Sequence, residues 1–150
     1  MEELNMKSKF ALLLTVVVML GMSDLVFAQI DCSKRIGGGY DCYDFNRGTF
    51  IDITPQLGGG LSSYDYGTRT FRDSTPRAGG GFSTFDYGTG SFSDTTSRPG
   101  GGWTTYDYGA GTFRDATPRP GGGYNTYDYG TGQHGTIQRR PGGGFSIDEW

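Results

Sequence analysis

Residues 100 to 120 read GGGWTTYDYGAGTFRDATPRP, and near copies begin at Gly37, Gly58, Gly79 and Gly121, so five units follow one another at a constant 21 residues. A fixed period without insertion means that one supersecondary unit is arrayed, and the unit must be read before the chain. Number each unit from its first Gly. Positions seven to nine are then Tyr43-Asp44-Phe45, Tyr64-Asp65-Tyr66, Phe85-Asp86-Tyr87, Tyr106-Asp107-Tyr108 and Tyr127-Asp128-Tyr129. Position ten is Asn46, Gly67, Gly88, Gly109 or Gly130, the restriction expected of a positive-φ residue in a tight turn. A hairpin tip is therefore expected near positions ten to twelve. The aromatic and Thr-rich segments on either side have strand length, and the Pro and triple Gly form the outer connection.

The ends of the array carry the topology. Residues 29–36 align with the second half of a unit, and residues 142–150 with the first half, flanking full repeats 37–57, 58–78, 79–99, 100–120 and 121–141. Two complementary halves predict that the last strand pairs with the first. The expected fold is all-β, with tandem β-hairpins closed into a shallow ring or barrel of about six hairpins and no exposed sheet edge. An open β-solenoid is the alternative, and would more naturally carry distinct capping units.

Cys32 and Cys42 suggest the register. A secreted chain with two cysteines is expected to form one disulfide, here across the Gly37-Gly38-Gly39 connection. Extending that antiparallel register puts Phe50, Phe71, Phe92 and Phe113 opposite Tyr66, Tyr87, Tyr108 and Tyr129. It also sets Arg72 against Asp86, Arg114 against Asp128, and Ile137 against Ile147.

Strand alternation places positions five, seven, nine, fourteen and sixteen on one face and four, six, eight, fifteen and seventeen on the other, without deciding which turns inward. The first face carries three aromatics per unit. Its recurrent Asp at position sixteen is expected to bond Tyr hydroxyls or turn amides. The second face carries Leu61, Phe82, Trp103, Tyr124 and Phe145, of which Phe82, Trp103 and Tyr124 are the candidate ligand-stacking residues. Gln133-His134-Gly135-Thr136 breaks the pattern of Thr112-Phe113-Arg114-Asp115, and marks His134 as a divergent site or a closure adaptation.

Residues 1–28 differ in kind. Lys7 and Lys9 precede an apolar run from Phe10 to Met22, and Val26-Phe27-Ala28 offers a small-residue cleavage site, which reads as a secretory signal peptide. The run of about 13 residues is shorter than the roughly 20 of a membrane anchor, so no transmembrane segment is expected after cleavage. The remainder, 29–150, reads as a single domain that is secreted or periplasmic. With 13 Lys plus Arg against 16 Asp plus Glu the net charge is −3, which suggests no nucleic-acid partner. Abundant Gly would suit disorder, but the modest charge and the 10 Tyr and 10 Phe argue for a packed domain.

The pattern Tyr-Asp-Tyr-x-Thr-Gly-x-Phe/Tyr, carried by Phe85-Asp86-Tyr87-Gly88-Thr89-Gly90-Ser91-Phe92 and by Tyr106-Asp107-Tyr108-Gly109-Ala110-Gly111-Thr112-Phe113, resembles β-hairpins in small exported bacterial proteins whose domain is uncharacterised. A weaker likeness is to the YD repeats of Rhs-type surface proteins. Those have Tyr-Asp-x-x-Gly-Arg, whereas here Gly falls two and four residues after Asp. The resemblance implies a bacterial envelope or exported protein and assigns no catalytic residue.

The residues offer little chemistry. His134 is the only His, and with both Cys expected in a disulfide no catalytic set, metal site or cofactor is expected. The triple glycines lack the Gly-Lys-Ser/Thr of a phosphate loop. Asp44, Asp65, Asp86, Asp107 and Asp128 read as turn-bonding and Arg-pairing groups, and would ring a cation only if their side chains converged. Three functions follow: a non-catalytic binding module for an envelope glycan or protein partner, a self-associating structural protein, and, third, an envelope-polymer hydrolase working through Asp residues. A site repeated in every copy favours binding or structure over catalysis.

Overall fold

A computed structural model describes residues 29–150; the signal peptide assigned to 1–28 lies outside the described residues. The chain forms twelve strands: β1 (Gln29–Lys34), β2 (Tyr40–Asp44), β3 (Thr49–Pro55), β4 (Leu61–Asp65), β5 (Thr70–Pro76), β6 (Phe82–Asp86), β7 (Ser91–Ser97), β8 (Trp103–Asp107), β9 (Thr112–Pro118), β10 (Tyr124–Asp128), β11 (His134–Arg139) and β12 (Phe145–Glu149). They close into an antiparallel barrel in chain order. Closure is made by the two half-repeats, β1 pairing with β12 through Ile30↔Ile147 and Cys32↔Phe145. No edge is left for an open solenoid.

The register is the one the cysteines predict. Cys32 faces Cys42 and is bonded to it. Arg72 faces Asp86, Arg114 faces Asp128 and Ile137 faces Ile147. The amides of Tyr66, Tyr87, Tyr108 and Tyr129 donate to the carbonyls of Phe50, Phe71, Phe92 and Phe113 at 2.9–3.0 Å. Within a hairpin position seven meets position fourteen, as in Tyr64↔Phe71, and between hairpins position fourteen meets nine. Each hairpin thus advances the register by two residues.

The outer connections explain the glycine triplet. In the fourth, the Gly101 amide donates to the Arg98 carbonyl and Gly100 has φ +94°, a turn with Pro99 at its second position and Gly where φ must be positive. Gly102 has a different reason: a Cβ there would lie 2.3 Å from the Ala116 carbonyl oxygen. The hairpin tips correct the expectation for position ten. Positive φ falls at position twelve, on Gly48, Arg69, Gly90, Gly111 and Gly132. Position ten is Gly because a Cβ would strike the preceding hairpin, at 2.7 Å from a Thr49 atom for Gly67 and 2.4 Å from a Thr112 atom for Gly130.

Closure turns positions four, six, eight, fifteen and seventeen inward. Three layers fill the interior. At the triple-Gly end sit large side chains, Leu61, Phe82, Trp103 and Phe145, with Tyr40 and Tyr124 packed against them. The middle holds small groups and Ile, including the hydroxyl pairs Ser74–Thr84 at 2.7 Å and Thr95–Thr105 at 2.9 Å. The hairpin-tip end is ionic. A core built this way needs no long aliphatic run in the sequence.

Candidate functional site

The face with three aromatics per unit points out into solvent. Its rings touch within the hairpins, Tyr43 with Phe45 and Phe50 (4.9 Å each between centroids), Phe85 with Phe92 (4.6 Å), Tyr106 with Phe113 (4.5 Å) and Tyr127 with His134 (4.7 Å), and between two hairpins Phe71 meets Tyr87 (5.5 Å). Within each hairpin the rings two residues apart stand edge-on, as in Tyr106–Tyr108 at 4.8 Å. Positions nine and fourteen keep about half their surface in water, with Phe92 54% and Tyr108 59% exposed. The result is a belt of ring clusters, one to a hairpin, that runs from Phe45 to Trp150, with a gap at the seam, where Gln29 and Asp148 take the places of aromatics.

A polar row runs beside the rings. Tyr66, Tyr87, Tyr108 and Tyr129 donate their hydroxyls to Asp52, Asp73, Asp94 and Asp115 at 3.0–3.3 Å. The bond to Asp94 raises the Tyr108 phenol, and that to Asp52 raises Tyr66, because a neighbouring carboxylate disfavours a phenolate. Three of these Asp residues take guanidinium groups from the outer connections, Arg77–Asp94 at 2.9 Å, Arg98–Asp115 at 3.0 Å and Arg35–Asp52 at 2.7 Å, and Asp73 takes the Gln56 side-chain amide at 2.7 Å. The series wraps across the seam as Arg140–Asp31 at 2.7 Å. Ser83 and Thr104 add hydroxyls to Asp94 and Asp115 at 2.7 and 2.6 Å. Between β7 and β8 these groups line a shallow groove with Phe92 and Tyr108 as its apolar wall and Asp94, Ser83 and Ser91 as its polar one.

Two of the stacking candidates are elsewhere. Trp103 and Phe82 are 4% and 3% exposed in the barrel interior, so neither offers a ring to a ligand on the outer surface. Tyr124, partly buried, lies against Trp103 at 4.4 Å between centroids. The reason is geometric: position four points to the axis at the crowded triple-Gly end, where large rings fill the core. His134 does sit in the outward belt. Its backbone exchanges both hydrogen bonds with Trp150, at 3.0 and 2.8 Å, and its ring covers Tyr127. The neighbouring Gly135 stands where other copies have an inward Ile, Arg or Ser. A Cβ there would lie 2.5 Å from Thr126 Oγ1 of the same hairpin and 2.9 Å from the Asp148 carbonyl oxygen, so the Gly makes room both for its own hairpin partner and for the closing strand.

The inward acids of position eight hold the hairpin tips. Asp107 Oδ1 accepts from the amides of Gly109 and Ala110 at 2.8 and 3.0 Å, and the other four Asp residues do the same in their own turns. Arg72 reaches Asp86 at 2.5 Å, and Arg114 reaches Asp128 at 2.7 Å and Glu149 at 3.7 Å. Burial pushes Asp86 and Asp128 up, but the Arg hydrogen bonds and charge, with the turn amides, outweigh it and leave both below the ordinary Asp range. Glu149 goes the other way. Its burial, reinforced by Asp128 and Asp44, outweighs Arg114 and raises it. Among the described residues no cluster of three or more His, Cys, Asp or Glu is placed to hold a metal ion.

No protein-family model, no curated protein and no solved structure matches this chain.

Proposed function

We propose that this is a non-catalytic, exported module of the bacterial cell envelope that binds carbohydrate on its outward aromatic belt. The observation that carries the reading is the groove in which exposed Phe92 and Tyr108 stand beside Asp94, Ser83 and Ser91. Flat rings suit the C–H face of a sugar, while carboxylate and hydroxyl oxygens suit its hydroxyls. The half-exposed rings are also more than scattered surface residues, since they cluster in touching groups on each hairpin, and exposed apolar clusters mark an interaction surface. Catalysis is not part of the reading, because the belt's carboxylates are engaged by Arg and Tyr in one hairpin after another.

The leader in residues 1–28 and the Cys32–Cys42 disulfide support a secreted or periplasmic site of action. Strands of five to seven residues fall short of the roughly 9–11 of a membrane-crossing strand, which supports a barrel standing in water.

Affinity electrophoresis of the purified chain through gels containing soluble β-glucans, mannan or chitin derivatives tests the reading. Retardation by at least one polysaccharide, weakened in Phe92→Ala/Tyr108→Ala, is expected. No retardation by any of them, together with sedimentation that grows with concentration and is abolished by the same substitutions, would transfer the belt to the self-associating structural reading.

A further inference from the structure

We infer that the belt holds one linear, uncharged polysaccharide across consecutive hairpins, with each hairpin junction serving as a subsite; this rests on the carbohydrate reading above. Four junctions carry the same set of groups: Phe50, Tyr66 and Asp52; Phe71, Tyr87 and Asp73; Phe92, Tyr108 and Asp94; Phe113, Tyr129 and Asp115. Because each hairpin advances the register by two residues around a closed barrel, equivalent residues lie at one height. The rings form one row around the wall and the carboxylates a second row parallel to it.

The spacing selects a chain. Neighbouring junctions are two strands apart, about 10 Å at the backbone. That is longer than one sugar ring, so only a chain of linked sugars reaches two subsites. The groove at the Phe92–Tyr108 junction is open and shallow and buries little of a single sugar, which makes one such contact weak and several in series strong. A cavity that enclosed a monosaccharide would have the opposite geometry.

The charges select an uncharged polymer. Asp52, Asp94 and Asp115 already take a guanidinium and a Tyr hydroxyl each, and Asp73 a Tyr hydroxyl and the Gln56 amide, so the polar row presents partnered carboxylates, three of them charge-paired, with hydroxyl-bonding capacity to spare. An anionic chain would meet the carboxylates, and a cationic one would have to displace the arginines. The seam, where Gln29 and Asp148 interrupt the rings, makes the belt an arc with two ends, between Phe45 on one side and Trp150 with His134 on the other. An arc accommodates a linear polymer that passes on beyond the protein.

Titration calorimetry and affinity electrophoresis with a length series test this, using oligosaccharides of two to eight sugars and the parent polymer of whichever neutral glycan is retained, with polygalacturonate and chitosan as charged controls. Affinity is expected to rise on the order of 100-fold from the shortest oligosaccharide to the polymer. Phe92→Ala/Tyr108→Ala should reduce polymer binding about tenfold, and adding Phe50→Ala/Tyr66→Ala should bring it to the short-oligosaccharide level. Unchanged thermal midpoints and near-ultraviolet spectra shape identify these as losses of contact. If a disaccharide binds as tightly as the polymer, and one pair of substitutions abolishes all binding, the belt has a single site and this inference is overturned while the carbohydrate reading stands. Preferential binding of either charged polymer also overturns it. No binding of any sugar removes both.

Discussion

The triple glycines allow two physical effects to be separated within one turn. At Gly100 the φ of +94° is the only constraint, since a Cβ there would meet nothing within 4 Å. A left-handed conformation costs an L-residue about 1–2 kcal/mol, and the Ala side chain returns about 0.4–1 kcal/mol by narrowing the unfolded ensemble. Gly100→Ala should therefore cost about 1 kcal/mol. At Gly102 the constraint is contact: the Cβ would lie 2.3 Å from the Ala116 carbonyl oxygen, where about 3.3 Å is needed. The backbone must move by about 1 Å, which breaks the Arg98 amide bond to the Gly102 carbonyl and the Trp103↔Ala116 pairing, and loosens Trp103 in the core. Two hydrogen bonds of about 1 kcal/mol each and some lost packing put Gly102→Ala at about 2–4 kcal/mol. Urea unfolding followed by Trp fluorescence reads the difference, and thermal midpoints should fall by roughly 4 °C per kcal/mol. Equal losses at the two positions, or a harmless Gly102→Ala, would refute the close-approach account of the triplet.

Reducing Cys32–Cys42, or replacing both with Ala, should cost about 3 kcal/mol by the loop-entropy estimate for a short loop, checked by unfolding with and without reductant; an unchanged midpoint would show that the pairing of β1 with β2 and β12 holds it without the bond. Arg69, whose φ is 57°, is the only non-Gly residue at a position otherwise held by Gly, so Arg69→Gly should stabilise by up to about 1 kcal/mol, and a destabilised variant would mean that the Arg side chain matters more than its backbone. Arg114 faces two buried acids, and Arg114→Met should cost about 3–5 kcal/mol by leaving Asp128 and Glu149 without it. Glu149 is raised above its usual 4.5, so its contribution is fully present below that value and is lost as pH rises through the folded-state value. Asp86 and Asp128, lowered from 3.8, contribute above that value and lose it as pH falls through theirs. Glu149→Gln should thus flatten the decline of stability above pH 4.5 and leave the acid limb in place; the same decline in the variant would assign it to another group.

Much of the fold could be read locally because the repeat is its own alignment. The 21-residue period located the hairpins, the complementary halves at 29–36 and 142–150 specified closure, and Cys32 with Cys42 specified the pairing of all the other strands. The tertiary structure decided which face is inside. Alternation has period two and is unchanged when the faces are exchanged, so a strand such as Trp103–Asp107, with Trp on one side and Tyr on the other, carries no local sign of inside or outside. Curvature supplies that sign: inward side chains converge on the axis, where Trp103, Thr105 and Ala116 fill a limited volume and Arg114 neutralises acids, while the three rings per hairpin splay apart on the wider outer wall. Position ten differs from the turn-glycine expectation for a related reason, since its glycines answer to Thr and Ser of the preceding hairpin, a contact that exists only once the hairpins stand side by side.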